Sequence, residues 1–190
     1  MPRKKTISDE DLLDAVLLVV RQGGPEAVTF QAVAPRAGLA ASTVVQRFGT
    51  KAALLRAALS QAWDRLDADT DAADGEAPHG PAGVIDLLVR LSAQYDPVDY
   101  PDQLLLLRED LRDPVLRERG RRWLDALGAA IERRLAAQAG DAAGLGELTI
   151  AHWQGALTVW AFRRHGTPQD AVRRALEDLF RRLDLTASGR

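Results

Sequence analysis

The chain has 190 residues, of which 46% are hydrophobic and 27% charged, with a formal net charge of −2 and no cysteine. That composition is typical of a soluble globular protein, and the missing thiols exclude disulfides, thiolate catalysis and Cys-based metal sites. A reducing compartment, the cytoplasm, is therefore the expected location. No apolar run approaches the roughly 20 residues needed to cross a bilayer, so no membrane partner is expected. The basic start "MPRKKTISDEDLL" has no apolar stretch behind it and does not read as a signal peptide. Charge is unevenly placed: residues 1–51 carry seven Lys/Arg against five Asp/Glu and hold all three lysines, Lys4, Lys5 and Lys51.

Apolar residues recur throughout at helical spacing, and strand alternation is absent. Ser8 with Asp11 three residues on predicts a capped helix start, followed by Leu12, Leu13, Val16, Val19 and Val20 on one face. Gly23-Gly24-Pro25 ends that helix. Thr29 caps a short second helix containing Phe30, Val33 and Ala37, Gly38 closes it, and a third helix runs from about Ala41 to Phe48. A fourth is expected over 51–67, and then "DADTDAADGEAPHGP" reads as an acidic loop or linker. Further helices are expected near 81–95, 102–112, 114–139, 145–165 and 168–184, the last opened by Thr167, Pro168 and Asp170. The fold class is all-α with about nine helices. The expected domains are 1–51, a helix-turn-helix, and 52–190, a larger helical body.

Three short helices with a glycine turn between the second and third describe a helix-turn-helix unit. Phe30, Val33, Ala37, Leu39, Val44 and Phe48 face inward, which leaves Ala41, Ser42, Thr43, Val45, Gln46 and Arg47 outside or on the flank. Small residues at the front of a helix permit close approach to a groove, and Ser, Thr, Gln and Arg offer donors and acceptors to bases and phosphates. On spacing alone, a plain helical hairpin and a DNA-reading unit stand level.

The run from Leu12 to Leu59 settles more. The first helix ending in Gly-Gly, Ala27-Val28-Thr29, "VAPRAGL", Thr43-Val44, Phe48-Gly49-Thr50-Lys51 and Leu54-Leu55 follow one another in the order and spacing of a known pattern. The run resembles the DNA-binding domain of the TetR family of bacterial transcriptional regulators. The resemblance implies that Ala41, Ser42, Val45 and Arg47 face bases and that Thr29, Thr43, Gln46 and Lys51 lie near phosphates. Arg47 by itself suits a bidentate guanine contact and a pair with an Asp or Glu equally. Lys51, at the start of the fourth helix, is favoured there by its own charge and by the helix-terminal N–H groups. Arg3, Lys4 and Lys5 precede the first helix as a basic arm.

Four positions depart from the family pattern. Ala40 stands where a Ser or Thr cap is usual, a loss of about 1 kcal/mol. Val45 replaces a common tyrosine and Arg47 a tyrosine or histidine. Pro35 lies inside the second helix, at a cost of about 3 kcal/mol unless the helix bends.

The helix over 145–165 is apolar on more than one side, with Leu145, Leu148, His152, Ala156 and Val159 on one face and Trp153, Leu157 and Trp160 on another. A helix apolar nearly all round is buried in a core or between subunits. The resemblance implies a homodimer through the last two helices, with His152, Ala156, Val159, Val172, Leu176, Leu179 and Leu183 at the interface. It also implies a small-molecule effector in the larger domain. Tyr95, Tyr100, Arg108, Trp123, His152 and Trp153 are the pocket candidates, suited to a mostly apolar ligand.

Enzyme signals are poor. His79, His152 and His165 are isolated, and no zinc-binding, P-loop or dinucleotide motif is present. No catalytic residue, metal or cofactor is expected. The reading is a homodimeric repressor of a palindromic double-stranded DNA operator, released by a ligand of unknown identity. A helical-bundle enzyme and a protein-binding helical adaptor are the alternatives.

Overall fold

The computed structural model describes residues 7–95 and 100–185. The basic arm, Arg3, Lys4 and Lys5, lies outside the described residues, as does the "DPVD" segment between Tyr95 and Tyr100. Ser8 opens the first helix as expected: its hydroxyl accepts the Asp11 N–H at 3.0 Å, and the Asp11 carboxylate accepts the Ser8 N–H in return. Helix α1 (Asp9–Gly23) buries Leu12, Val16, Val19 and Val20 and stops where Gly24 turns at φ 73°. One 3₁₀ turn, Pro25–Ala27, leads to α2 (Phe30–Arg36), capped by Thr29, whose hydroxyl accepts the Ala32 N–H at 3.0 Å. Pro35 falls in the last turn of this seven-residue helix, where its missing N–H costs a single backbone hydrogen bond. Gly38 then adopts φ 65°, and the Leu39 N–H reaches back to the Ala34 carbonyl at 2.9 Å. Helix α3 (Ala41–Phe48) follows without a side-chain cap at Ala40, and Thr50 caps α4 (Lys51–Glu76) by accepting the Ala53 N–H at 3.1 Å.

The later helices are α5 (Pro81–Leu91), α6 (Tyr100–Arg112), α7 (Pro114–Ala139), α8 (Leu145–Arg163) and α9 (Pro168–Arg182), with a 3₁₀ turn over Ser92–Gln94. The described chain is thus all-α, with nine α-helices among the described residues. None of these helices is long and apolar enough to cross a membrane.

The chain forms two units. The first comprises Met1–Arg65 and Pro101–Gly120, so it reaches beyond residue 51 and takes in α6 and the start of α7. Leu12, Val16, Val28, Val33, Val44, Leu54, Ala58 and Leu116 form its core. On its surface Arg65 and Gln61 of α4 hold Asp14 of α1 at 2.6 and 2.7 Å. Asp113 accepts the Val115 N–H at the start of α7 and pairs with Arg56 of α4 at 2.5 Å.

Asp110 lies beneath the Trp63 indole, which donates to it at 3.1 Å. Burial pushes this carboxyl up to about 6; the indole hydrogen bond opposes the shift, and Asp113 and Glu109 reinforce it. The folded state therefore binds the proton more tightly than the unfolded chain, and stability falls as pH rises from about 4 through about 6. Asp110→Asn keeps an acceptor for the indole but cannot ionise. Its melting temperature is expected to decline less than that of the unmodified protein between pH 4.5 and 7. Parallel declines would show that the ionised carboxylate costs nothing there.

The second unit comprises Leu66–Tyr100 and Arg121–Arg190. Within it α9 packs on both α8 and α5. Leu87, Leu88, Leu127, Ile131, Trp153, Leu157, Leu176 and Phe180 are enclosed in its core. Thr167 caps α9 as expected, accepting the Asp170 N–H at 3.1 Å.

One expectation fails here. "DADTDAADGE" is not a linker but the last turns of α4. Composition favours a loop, yet tertiary partners override it. The Thr70 hydroxyl accepts the Trp123 indole N–H at 2.9 Å, and Ala73 is buried. The Asp74 carboxylate pairs with Arg133 at 2.8 Å and with the buried Arg134, which also donates to the Asp74 carbonyl. The true connection is short, and its Gly80 N–H is held by the Arg134 carbonyl at 3.1 Å.

Candidate nucleic-acid interface

Helix α3 is seated by one residue above all: Val44 is fully buried among the side chains of α1 and α2, with Phe30, Leu39 and Phe48 packed around that core. Fixing that face decides the opposite one. Ser42, Val45 and Gln46 are exposed, while Ala41 and Thr43 are half-buried at the flank. Val45, 41% exposed, is a large apolar side chain left on an otherwise polar face. That is an apolar contact of the kind a thymine methyl group accepts. Thr29 is exposed at the start of α2; its oxygen caps the helix, and its hydroxyl proton remains available to a phosphate.

Of the two cations of the motif, Lys51 sits where it is expected and Arg47 does not face outward. Arg47, expected either to face bases or to pair with an acidic side chain, is turned back onto α1 and pairs with Asp9. Its Nη1 donates to the Ile7 carbonyl at 3.0 Å and to Asp9 Oδ1 at 3.1 Å, and its side chain is 26% exposed. A carbonyl and a carboxylate close at hand outcompete water for the guanidinium. Lys51 sits at the first position of α4 as expected, with Nζ donating to the Glu26 carbonyl at 3.0 Å and 3.6 Å from Glu26 Oε2. The site is therefore a small, mostly neutral helix face bordered by two tethered cations.

Among the expected pocket residues the aromatics form two pairs, and none of the set lines the cleft beside α4 and α5. Trp123 and Trp153 are core side chains with ring centroids 6.3 Å apart. Their indole N–H groups are spent on Thr70 and Ser92, each at 2.9 Å. Tyr100 is wedged edge-on between Tyr95 at 5.6 Å and Trp160 at 5.9 Å. Burial, reinforced by Tyr100, pushes the Tyr95 hydroxyl up to about 12, so it stays neutral. His152 is exposed on α8, with Nε2 3.1 Å from the Ala175 carbonyl. Arg108 is exposed in the first unit, 3.7 Å from Glu109. A cleft of about 310 Å³ lies instead against α4 and α5, where Leu66, Asp69, Ala73, Glu76, Arg90 and Leu91 are among its lining residues.

The interface expectation divides in the same way. Val172 and Leu176 are wholly enclosed within the protomer, because α5 and α8 both pack onto α9, so they are core and cannot meet a partner. His152 and Val159 are exposed, Ala156 and Leu179 are half-buried, and Leu183 is exposed at the end of α9. On α8 the exposed residues Leu148, His152, Gly155, Val159 and Phe162 recur at alternating steps of four and three, the spacing of one continuous helix face. Phe162, 89% exposed, was not among the expected residues. The seven-residue repeat that includes it is readable in the sequence once Leu148 is taken as its start.

Residues 12–58 match the family described as bacterial regulatory proteins, tetR family. The N-terminal helices of the chain are a helix-turn-helix domain of the TetR family. The match lies over α1 to α3 and the start of α4, the elements that carry the candidate interface. Among curated relatives, the chain is 45% identical over 62 residues to the HTH-type transcriptional repressor KstR of Mycolicibacterium smegmatis. That alignment covers 33% of this chain and 30% of the relative, so the chain matches under a third of that protein's length. Over most of its length the chain is similar in fold to solved structures. The transcriptional regulator FadR of Bacillus subtilis, solved in complex with stearoyl-CoA, aligns with TM-score 0.68 at 15% identity, over 90% of this chain and 97% of its own. A protein of Saccharomonospora viridis solved in complex with choline aligns with TM-score 0.72 at 18% identity, over 91% of this chain and 95% of its own. At such identities the fold alone is what is shared.

Proposed function

We propose that this chain is a homodimeric TetR-family transcriptional repressor that binds a palindromic DNA operator and leaves it when a small ligand binds the second unit. The observation that carries the reading is α3 itself: Val44 anchors it while Ser42, Val45 and Gln46 stand exposed on its far side. One such helix touches few base pairs. A two-fold pair reads a palindrome and multiplies specificity. The exposed repeat on α8 supplies a self-complementary surface for that pairing, and Gly155 within it allows a second helix to approach closely.

For the ligand, the support is the cleft beside Leu66, Ala73 and Leu91, with the paired Glu76 and Arg90 at hand to orient a polar group. Two structurally similar proteins were solved with stearoyl-CoA and with choline, both of which combine apolar and charged parts. A mostly apolar effector with one charged or polar end fits this surface.

Selecting bound sites from a pool of random duplexes tests the reading. A recovered palindrome supports a DNA-binding dimer; recovery of no sequence, with affinity no greater than for bulk DNA, overturns it. The phosphate role of Lys51 has its own measurement. Lys51→Ala is expected to weaken binding to all duplexes alike and to lower the salt slope by about one unit. An unchanged slope would leave Lys51 bound to Glu26 and remove it from the DNA contacts.

A further inference from the structure

Arg47 carries the only long cationic side chain on α3, and a DNA-reading helix invites its assignment to a guanine. Its surroundings argue otherwise. A single nitrogen, Nη1, bridges two acceptors on α1: the Ile7 carbonyl at 3.0 Å, one residue before the Ser8 cap, and Asp9 Oδ1 at 3.1 Å in the first turn. The partners lie 40 and 38 residues earlier in the chain, so the contact joins the last turn of α3 to the first turn of α1. Arg47 as a whole is exposed, like Ser42 and Gln46, yet its side chain lies along α1 and is 26% exposed. To reach a base edge Arg47 would abandon both acceptors together.

We infer that Arg47 is a positioning residue for DNA binding, one that fixes the tilt of α3 by clamping its C-terminal end to the start of α1, and that base reading falls to Ser42, Thr43, Val45 and Gln46. The inference rests on the DNA-binding reading above. It is consistent with the general docking of such helices, whose N-terminal residues reach the base edges. It also explains why a helix without a capping side chain at Ala40 holds its place: the far end is tied down instead.

Asp9 makes the assignment testable, because electrostatics and positioning predict opposite signs. If Arg47 served a base or phosphate, Asp9 would merely compete for it, and removing a carboxylate beside DNA would strengthen binding. If Arg47 is a clamp, Asp9 is half of it. Arg47→Ala, Asp9→Ala and the double variant are compared with the unmodified protein on the duplex selected for it, and preferences are measured base pair by base pair. Each single variant is expected to weaken binding by about two- to fivefold, the range for an exposed ion pair. The double variant is expected to be no weaker than Arg47→Ala, and no base position is expected to lose its preference. Circular dichroism of each variant at the assay temperature separates a tilted helix from an unfolded one.

Tighter or unchanged binding by Asp9→Ala overturns the clamp, as does a loss of preference at one base pair in Arg47→Ala. If the unmodified protein selects no duplex, the DNA-binding reading falls first and this inference falls with it. If it selects one and Asp9→Ala binds that duplex more tightly, only the clamp is wrong.

Discussion

Val159→Asp is expected to yield a folded monomer that has lost most of its affinity for the operator. Val159 is 47% exposed, so in an isolated protomer the carboxylate stays in water and the core beneath α8 is untouched. In a two-fold seam built from Leu148, His152, Gly155, Val159 and Phe162, the same carboxylate is buried without a partner, once from each subunit. Removing water from an unpaired charge costs several kcal/mol, enough to dissolve an ordinary interface. Loss of the second recognition helix then removes the gain from simultaneous engagement, about 10²- to 10⁴-fold. Sedimentation and operator titration read the two effects separately. A variant that stays dimeric with unaltered affinity would place the two-fold contact elsewhere. Val172→Asp serves as the contrast: Val172 is fully buried inside the protomer, so the charge there is expected to unfold the second unit rather than release a monomer.

Gly83→Ala is expected to destabilise the second unit severely. Gly83 lies in the first turn of α5, and a Cβ built there would fall 1.6 Å from the Pro78 carbonyl oxygen and 2.5 Å from its carbon. The obstacle is backbone, not the tip of a flexible side chain. The short connection is itself tied down, its Gly80 N–H donating to the Arg134 carbonyl at 3.1 Å. Overpacking on this scale costs about 3 kcal/mol or more. Gly75→Ala is the matched control. It lies near the end of α4 with nothing within 4 Å of its would-be Cβ, and there alanine is expected to stabilise by up to about 1 kcal/mol. Chemical unfolding of both variants checks the pair. A Gly83→Ala protein as stable as the unmodified one would mean that this turn adjusts freely.

The cleft and the exposed repeat on α8 illustrate how differently two surface features are written in a chain. The repeat on α8 is periodic and local, so it is legible from residue 148 onward. The cleft is lined from α4, α5 and the 3₁₀ turn after α5, and no spacing along the chain announces that these meet. Trp123 and Trp153 looked like pocket residues because aromatic side chains with one polar atom suit both a core and a cavity. Thr70 and Ser92, at sequence distances of 53 and 61 residues, supply the acceptors that make them core.

What the sequence determined by itself is whatever depends on near neighbours along the chain. The caps at Ser8, Thr29 and Thr167, the glycine turns at Gly24 and Gly38, and the amphipathic α1 to α3 follow from contacts within four or five residues, and they appear as expected. The TetR pattern is legible for the same reason, being a sequence of such local devices in order. Only the tertiary structure decided where alternatives of equal local merit part. "DADTDAADGE" winds into helix because Asp74 finds Arg133 and Arg134 some sixty residues on. Val172 and Leu176 share an apolar stripe that reads identically for core and for interface, and α5 packing onto α9 makes them core. Arg47 faces α1 because a carbonyl and a carboxylate from forty residues earlier stand within 3.1 Å of it. A charged or apolar side chain carries its strength in the sequence, but its direction belongs to whichever distant partner the fold sets beside it.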